Sequence, residues 1–202
     1  MHYITDTLYW ISTGLLVPVI VLLIYLFVRA LVLVGGWFGH YLDVRRLQGK
    51  LNALVDNLSP DTLATLADAL PKSRLAVVAT LRSMLAEQNP ARIEKLLADF
   101  ALQADRDLAT PKTLAKMGPM LGLMGTLIPM GPALVGLSTG DIASMAYNMQ
   151  VAFATTVIGL FSAAVGFVVL QSKQRWYRRD QNTLEFVADL IEQQRTPQTP
   201  ND

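Results

Sequence analysis

Gly118-Pro-Met-Leu-Gly-Leu-Met-Gly-Thr-Leu-Ile-Pro-Met-Gly-Pro132, followed after a short polar link by the apolar run Tyr147 to Leu170, decides the fold. Each segment is about 20 residues long, the length at which a helix crosses a bilayer. Asp141 is the only formally charged residue inside the stretch, and no Lys, Arg, His or Glu occurs between Lys116 and Lys173. In water either helix would leave a large apolar surface unexplained. The pair reads as a membrane hairpin.

Small and hydroxylated residues mark the faces where these helices meet protein. Ala152, Thr156, Gly159, Ala163 and Gly166 follow one another at spacings of four and three, which places them on one helical face. Leu160, Phe161, Phe167 and Val168 fall largely elsewhere. Lipid tails are as apolar as leucine, so membrane helices associate through close van der Waals approach, and small residues permit it. Gly118, Gly122 and Gly125 make a similar strip on the first segment, with Thr126 beside it.

Gly118-Pro-Met-Leu-Gly-Leu-Met-Gly-Thr126, paired with Val151-Ala-Phe-Ala-Thr-Thr-Val-Ile-Gly-Leu160, resembles the MotA/TolQ/ExbB proton-channel family, closest in layout to its three-span ExbB/TolQ type. There a proline-led Leu-Gly-Leu-Leu-Gly-Thr run opens one helix and an Ala-Leu-x-x-Thr-x-x-Gly-Leu run marks the next. The likeness covers the hairpin and, loosely, the layout of spans. It implies a homopentamer around a dimeric single-span partner of the ExbD/TolR/MotB type, whose aspartate carries the proton. It also implies that Thr126 and Thr156 correspond to pore-facing threonines, and that ion flow drives mechanical work in such processes as TonB-linked uptake, envelope maintenance or flagellar motion. One departure is Val151, which stands where many members carry a glutamate.

Composition fits a membrane class: 52% hydrophobic residues, 16% charged and a positive mean hydropathy. The net charge of +1 gives no sign of a nucleic-acid partner, and zero cysteines exclude disulfides and thiolate metal sites. Apart from Arg29, every Lys and Arg lies in Arg45–Lys116 or Lys173–Arg195. By the positive-inside rule, the central region and C-terminus are cytoplasmic while the N-terminus and hairpin link face outward.

The expected fold is an all-α membrane protein with three transmembrane helices, a helical cytoplasmic domain between the first and second, and long cytoplasmic helix extensions. The expected segments are an outward N-terminus (1–7), a first span (8–36), a cytoplasmic helical region (37–116), a second span (117–138), an outward link (139–146), a third span (147–171), a cytoplasmic helix (172–195) and a disordered tail (196–202). Pro18 interrupts the first span, and Gly35, Gly36 and Gly39 loosen its exit. Arg29 either marks an ion path or snorkels to the headgroups. His40 reads as an interface residue. Without a basic n-region and a cleavage site, the first span does not read as a cleaved signal peptide. Ser59-Pro60, Asn89-Pro90 and Thr110-Pro111 are expected helix starts. Leu75, Val78, Leu81, Met84 and Leu85 recur at helical spacing, and Tyr177, Leu184, Val187 and Ile191 share a face. The basic cluster Lys173, Arg175, Arg178 and Arg179 either binds anionic lipid or anchors the topology.

No nucleophile and base set, nucleotide loop or metal cluster is visible, so neither an enzyme nor a cofactor or metal is expected. A proton relay needs groups that titrate at membrane depth, and the hairpin offers only the hydroxyls of Thr126, Thr155, Thr156 and Ser162. If the protein conducts, the carboxylate arrives on another chain. The alternative for each threonine is a bond back to its own helix. Pro129 and Pro132 free the carbonyls of Gly125 and Ile128, which either line the outer part of the path or mark a kink. Gly159 and Ala163 are expected to hold neighbouring subunits together in a ring. The competing reading is a non-conducting membrane scaffold.

Overall fold

The computed structural model describes residues 2–55, 70, 75–87 and 89–195. Its elements are α1 (His2–Gly14), α2 (Leu16–Val55), α3 (Ala76–Ala86), α4 (Pro90–Thr139) and α5 (Ile142–Arg195). Every regular element among the described residues is helical. Three stretches are long and apolar enough to cross a membrane: Thr7–Gly39 through α1 and α2, Pro90–Thr139, and Ile142–Gln194. The expectations for Ser59-Pro60, the His40 side chain and the tail 196–202 lie outside the described residues.

The chain divides into two compact units, and α2, α4 and α5 contribute to both. The first comprises Met1–Trp37 and Ala109–Gln171. In it the N-terminal helical stretch breaks once, at Leu15. Pro18 explains the position: it has no N–H for the carbonyl of Gly14, and its ring crowds that carbonyl. Beyond the break, Val19, Leu23, Leu26 and Ala30 recur every three or four residues and pack with Leu114 and Leu121. Phe27 meets Phe161 with ring centroids 5.6 Å apart. The helix then passes unbroken through Gly35, Gly36 and Gly39, contrary to the expected loosening.

Two further expectations change. Thr110-Pro111 does not start a helix, because α4 runs unbroken from Pro90 and carries Pro111, Pro119, Pro129 and Pro132 inside it. Neither Pro129 nor Pro132 ends the segment. Pro111 and Pro129 are fully buried, so packing on the ring offsets the lost backbone bond. The hairpin link is also shorter than expected, reduced to Gly140 and Asp141. Gly140 takes φ of 74°, and the N–H groups of Gly140 and Asp141 donate to the carbonyls of Leu137 (3.3 Å) and Gly136 (2.8 Å). This paired closure of a helix C-terminus favours glycine at the left-handed position. Asp141 then caps α5 by accepting from the Ser144 N–H at 3.0 Å.

The second unit comprises Phe38–Leu108 and Ser172–Asp202. The apolar stripe of α3 meets Ile93 and Phe100 of α4 and Leu184, Val187 and Ile191 of α5. Val78, Leu81, Met84, Leu184 and Val187 are completely buried. Asn89 caps α4 as expected, its Oδ1 accepting from the Ala91 N–H at 3.0 Å. Tyr177 donates its hydroxyl to Asp107 Oδ2 at 2.5 Å and packs edge-on to Phe100. Desolvation, chiefly, and the Asp107 carboxylate keep that phenol protonated.

Asp180 is pushed up to about 6 by burial, partly countered by Arg179. A carboxyl whose folded value exceeds its unfolded one favours the fold at low pH, and that contribution is lost as pH rises through about 6. Asp180→Asn is therefore expected to raise the thermal midpoint at pH 7.5, with a smaller gain at pH 4.5, as followed by circular dichroism.

Candidate functional site

The site is built where α4 and α5 run side by side in the first unit. A methyl group placed on Gly159 would lie 2.7 Å from the Gly118 carbonyl oxygen and 2.8 Å from Gly122 Cα. One on Gly118 would lie 2.6 Å from the Gly159 oxygen. Neither backbone leaves room for a side chain there. Further along, Gly166 faces Pro111, Leu114 and Ala115, while Gly125 meets the side chain of Thr155. Ala152 and Ala163 are buried on the same face of α5. The small residues thus join two helices of one chain. The sequence had placed Gly159 and Ala163 between subunits, and their neighbours here are Gly118 and Gly122.

All four hydroxyls donate to their own helix. Thr126 Oγ1 bonds to the Leu123 carbonyl at 2.7 Å, Thr156 Oγ1 to Ala152 at 3.0 Å and Ser162 Oγ to Ile158 at 2.9 Å. Thr155 Oγ1 is shared between Val151 (3.0 Å) and Ala152 (2.9 Å). Each oxygen retains acceptor capacity, so a hydroxyl so bonded still receives a hydrogen bond from water or from a protonated acid. Exposure separates the four. Thr155 and Ser162 are 5% and 0% exposed, whereas Thr126 and Thr156 are half-buried and offer surface beyond the chain.

Charge is scarce around this hairpin. Within Met1–Trp37 and Ala109–Gln171 the only carboxylates are Asp6 and Asp141. Asp141 is committed to capping α5 at the hairpin tip. The carbonyls of Gly125 and Ile128 have no N–H four residues on, because Pro129 and Pro132 stand there. At the other end of the unit, Arg29 Nη2 donates to Thr110 Oγ1 at 3.2 Å, and its guanidinium carbon lies 5.9 Å from the centre of the Tyr25 ring.

Residues 65–185, more than half of the 202-residue chain, match the MotA/TolQ/ExbB proton channel family. The chain belongs to that family. It is a multi-pass membrane protein of a channel-type, energy-transducing class whose members work in complexes with partner membrane proteins. No curated protein matches the chain. The family match takes in α3, all of α4, and α5 as far as Glu185.

In this family member the pairing of Arg29 with Thr110 was missed by sequence reasoning. The two residues are 81 positions apart, and nothing in the sequence gives the register between α2 and α4. The capping role of Asp141 was missed as well, although its signal is present: an acid follows glycine and stands three residues before Ser144.

Backbone clearance orders the glycines. A methyl on Gly122 would meet its nearest neighbour, Gly159 Cα, at 3.5 Å, an ordinary contact. Gly122→Ala is expected to leave thermal stability in detergent nearly unchanged. Gly159→Ala has to push two backbones apart and is expected to cost about 1–3 kcal/mol, read from helical signal on heating.

Proposed function

We propose that this chain is the ring-forming subunit of an ion-motive-force-driven channel, with protons the carried ion, and that it passes the energy on through a single-span partner. The observation that carries this reading is a membrane hairpin with half-buried threonines and no titratable acid at depth, in a chain of the proton-channel family. Carboxylates are the usual carriers in proton relays. Here one is supplied by a dimeric partner of the ExbD/TolR/MotB type, seated inside a homopentamer of this chain. Thr126 and Thr156 accept hydrogen bonds beside that carboxyl. Thr155 and Ser162 hold the helix from behind.

The chain lies in a prokaryotic inner membrane, N-terminus outside and C-terminus cytoplasmic, following its Lys and Arg distribution. It acts as a stator in a molecular motor rather than as an enzyme, and its output serves protein transport or a related envelope task. The membrane potential contributes about 2.3 kcal/mol per charge per 100 mV. The carbonyls of Gly125 and Ile128, which face proline instead of an N–H four residues on, lie on the outer part of the same helix.

A non-conducting scaffold is favoured by one observation: all four hydroxyls already donate to their own backbone. Proton flux into liposomes separates the readings. The chain reconstituted with its single-span partner is expected to conduct, and the chain alone is not. Thr126→Val and Thr156→Val are each expected to lower flux about tenfold, on the scale of one lost hydrogen bond to a charged group. Unchanged flux removes these residues from the path, and current through the chain alone ends the proposal of a borrowed acid.

A further inference from the structure

Among the described residues Arg29 has no counter-ion, and it follows a long uncharged run of α2. The residues from Tyr9 to Val28 carry no formal charge. At 1.5 Å rise per residue they span about 30 Å, the thickness of the hydrocarbon core. Arg29 follows within the same apolar stretch, about 10 Å inside the C-terminal end of the expected span at 1.5 Å per residue, a depth from which its long side chain reaches the headgroups. The next residue, Ala30, is completely buried against the hairpin, while Arg29 is exposed. Of the five guanidinium donors, one goes to Thr110 Oγ1. Among the described residues no carboxylate pairs with it.

We infer that Arg29 binds the phosphate of an anionic phospholipid, with Thr110 and Tyr25 holding the guanidinium in place. A planar guanidinium matches two phosphate oxygens at once, and a net-negative headgroup keeps the attraction that choline would offset. One N–H of the fork donates to Thr110 and the guanidinium stands over the Tyr25 ring, which leaves the other N–H groups for the phosphate. The assignment to the cytoplasmic leaflet rests on the orientation proposed above. The binding itself does not, and it is measured without reference to proton flux.

Native mass measurement of the full chain from detergent, with phosphatidylglycerol or phosphatidylcholine added, tests this. The wild type is expected to retain phosphatidylglycerol in preference to phosphatidylcholine. Arg29→Gln is expected to weaken that retention about tenfold, the scale of a lost hydrogen bond to a charged group. Arg82→Gln, on the exposed side of α3, is expected to leave it largely intact. Thr110→Val keeps the charge but loses the clamp, and about a threefold loss is expected, since one neutral acceptor contributes less. Thr110→Val carries the test should Arg29→Gln fail to keep its helical content. The inference is overturned if Arg29→Gln retains phosphatidylglycerol like the wild type, if both lipids are held equally, or if Arg29→Gln sheds a second copy of the chain while keeping its lipid. The last result would assign Arg29 to a carboxylate across a subunit contact.

Discussion

Two backbones pressed together without side chains between them hold the membrane hairpin. Gly118 and Gly122 on α4 meet Gly159 on α5 so closely that a single methyl group on Gly118 or Gly159 would overlap the facing peptide. In lipid no hydrophobic force drives helices together, so attraction has to come from contact area at short range, and glycine gives the shortest range available. The rest of the unit follows from that approach. It brings Thr155 onto Gly125 and Gly166 onto the stretch from Pro111 to Ala115, and Leu114 and Leu121 of the same helix pack with Val19, Leu23 and Leu26 of α2.

The same closeness sorts the polar groups. Thr155 and Ser162 lie on the face turned toward the hairpin's own interior and are sealed there, while Thr126 and Thr156 stand at its edge. A hydroxyl in an apolar interior satisfies itself through the carbonyl one turn back, and all four do so. What differs between them is access. An edge threonine offers its oxygen to a partner and a sealed one does not, which makes position more informative than residue type.

Charge in this molecule is placed rather than abundant. The net charge is +1, yet the stretch from Gly118 to Leu170 holds a single charged side chain. That residue, Asp141, serves the turn by capping α5. The cation in the first span is met by a hydroxyl and a ring instead of a carboxylate. Outside the spans the rules of water apply. Asp107 accepts from Tyr177, Glu87 pairs with Arg92 at 3.2 Å, and an aliphatic core of leucine, valine and methionine fills the second unit.

The sequence by itself determined that the chain is helical, that three of its stretches suit a bilayer, and that one hairpin carries the family's paired motifs. Apolar run length and the three-and-four spacing of small residues are local quantities, readable without knowing any contact. The helical stripes of α3 and of Tyr177 to Ile191 were legible for the same reason, and they converge in one core. Only the tertiary structure decided which helix each glycine faces. Spacing identifies a face but not its partner, and a strip on α5 suits a neighbouring subunit as well as α4. It also decided that α4 continues through Pro111: proline removes a donor wherever it stands, and whether the helix survives depends on the packing that surrounds the ring. The separation of Thr126 and Thr156 from Thr155 and Ser162, and the meeting of Arg29 with Thr110, were likewise set by how the helices pack, because register between distant helices is a property of their contact and not of either sequence alone.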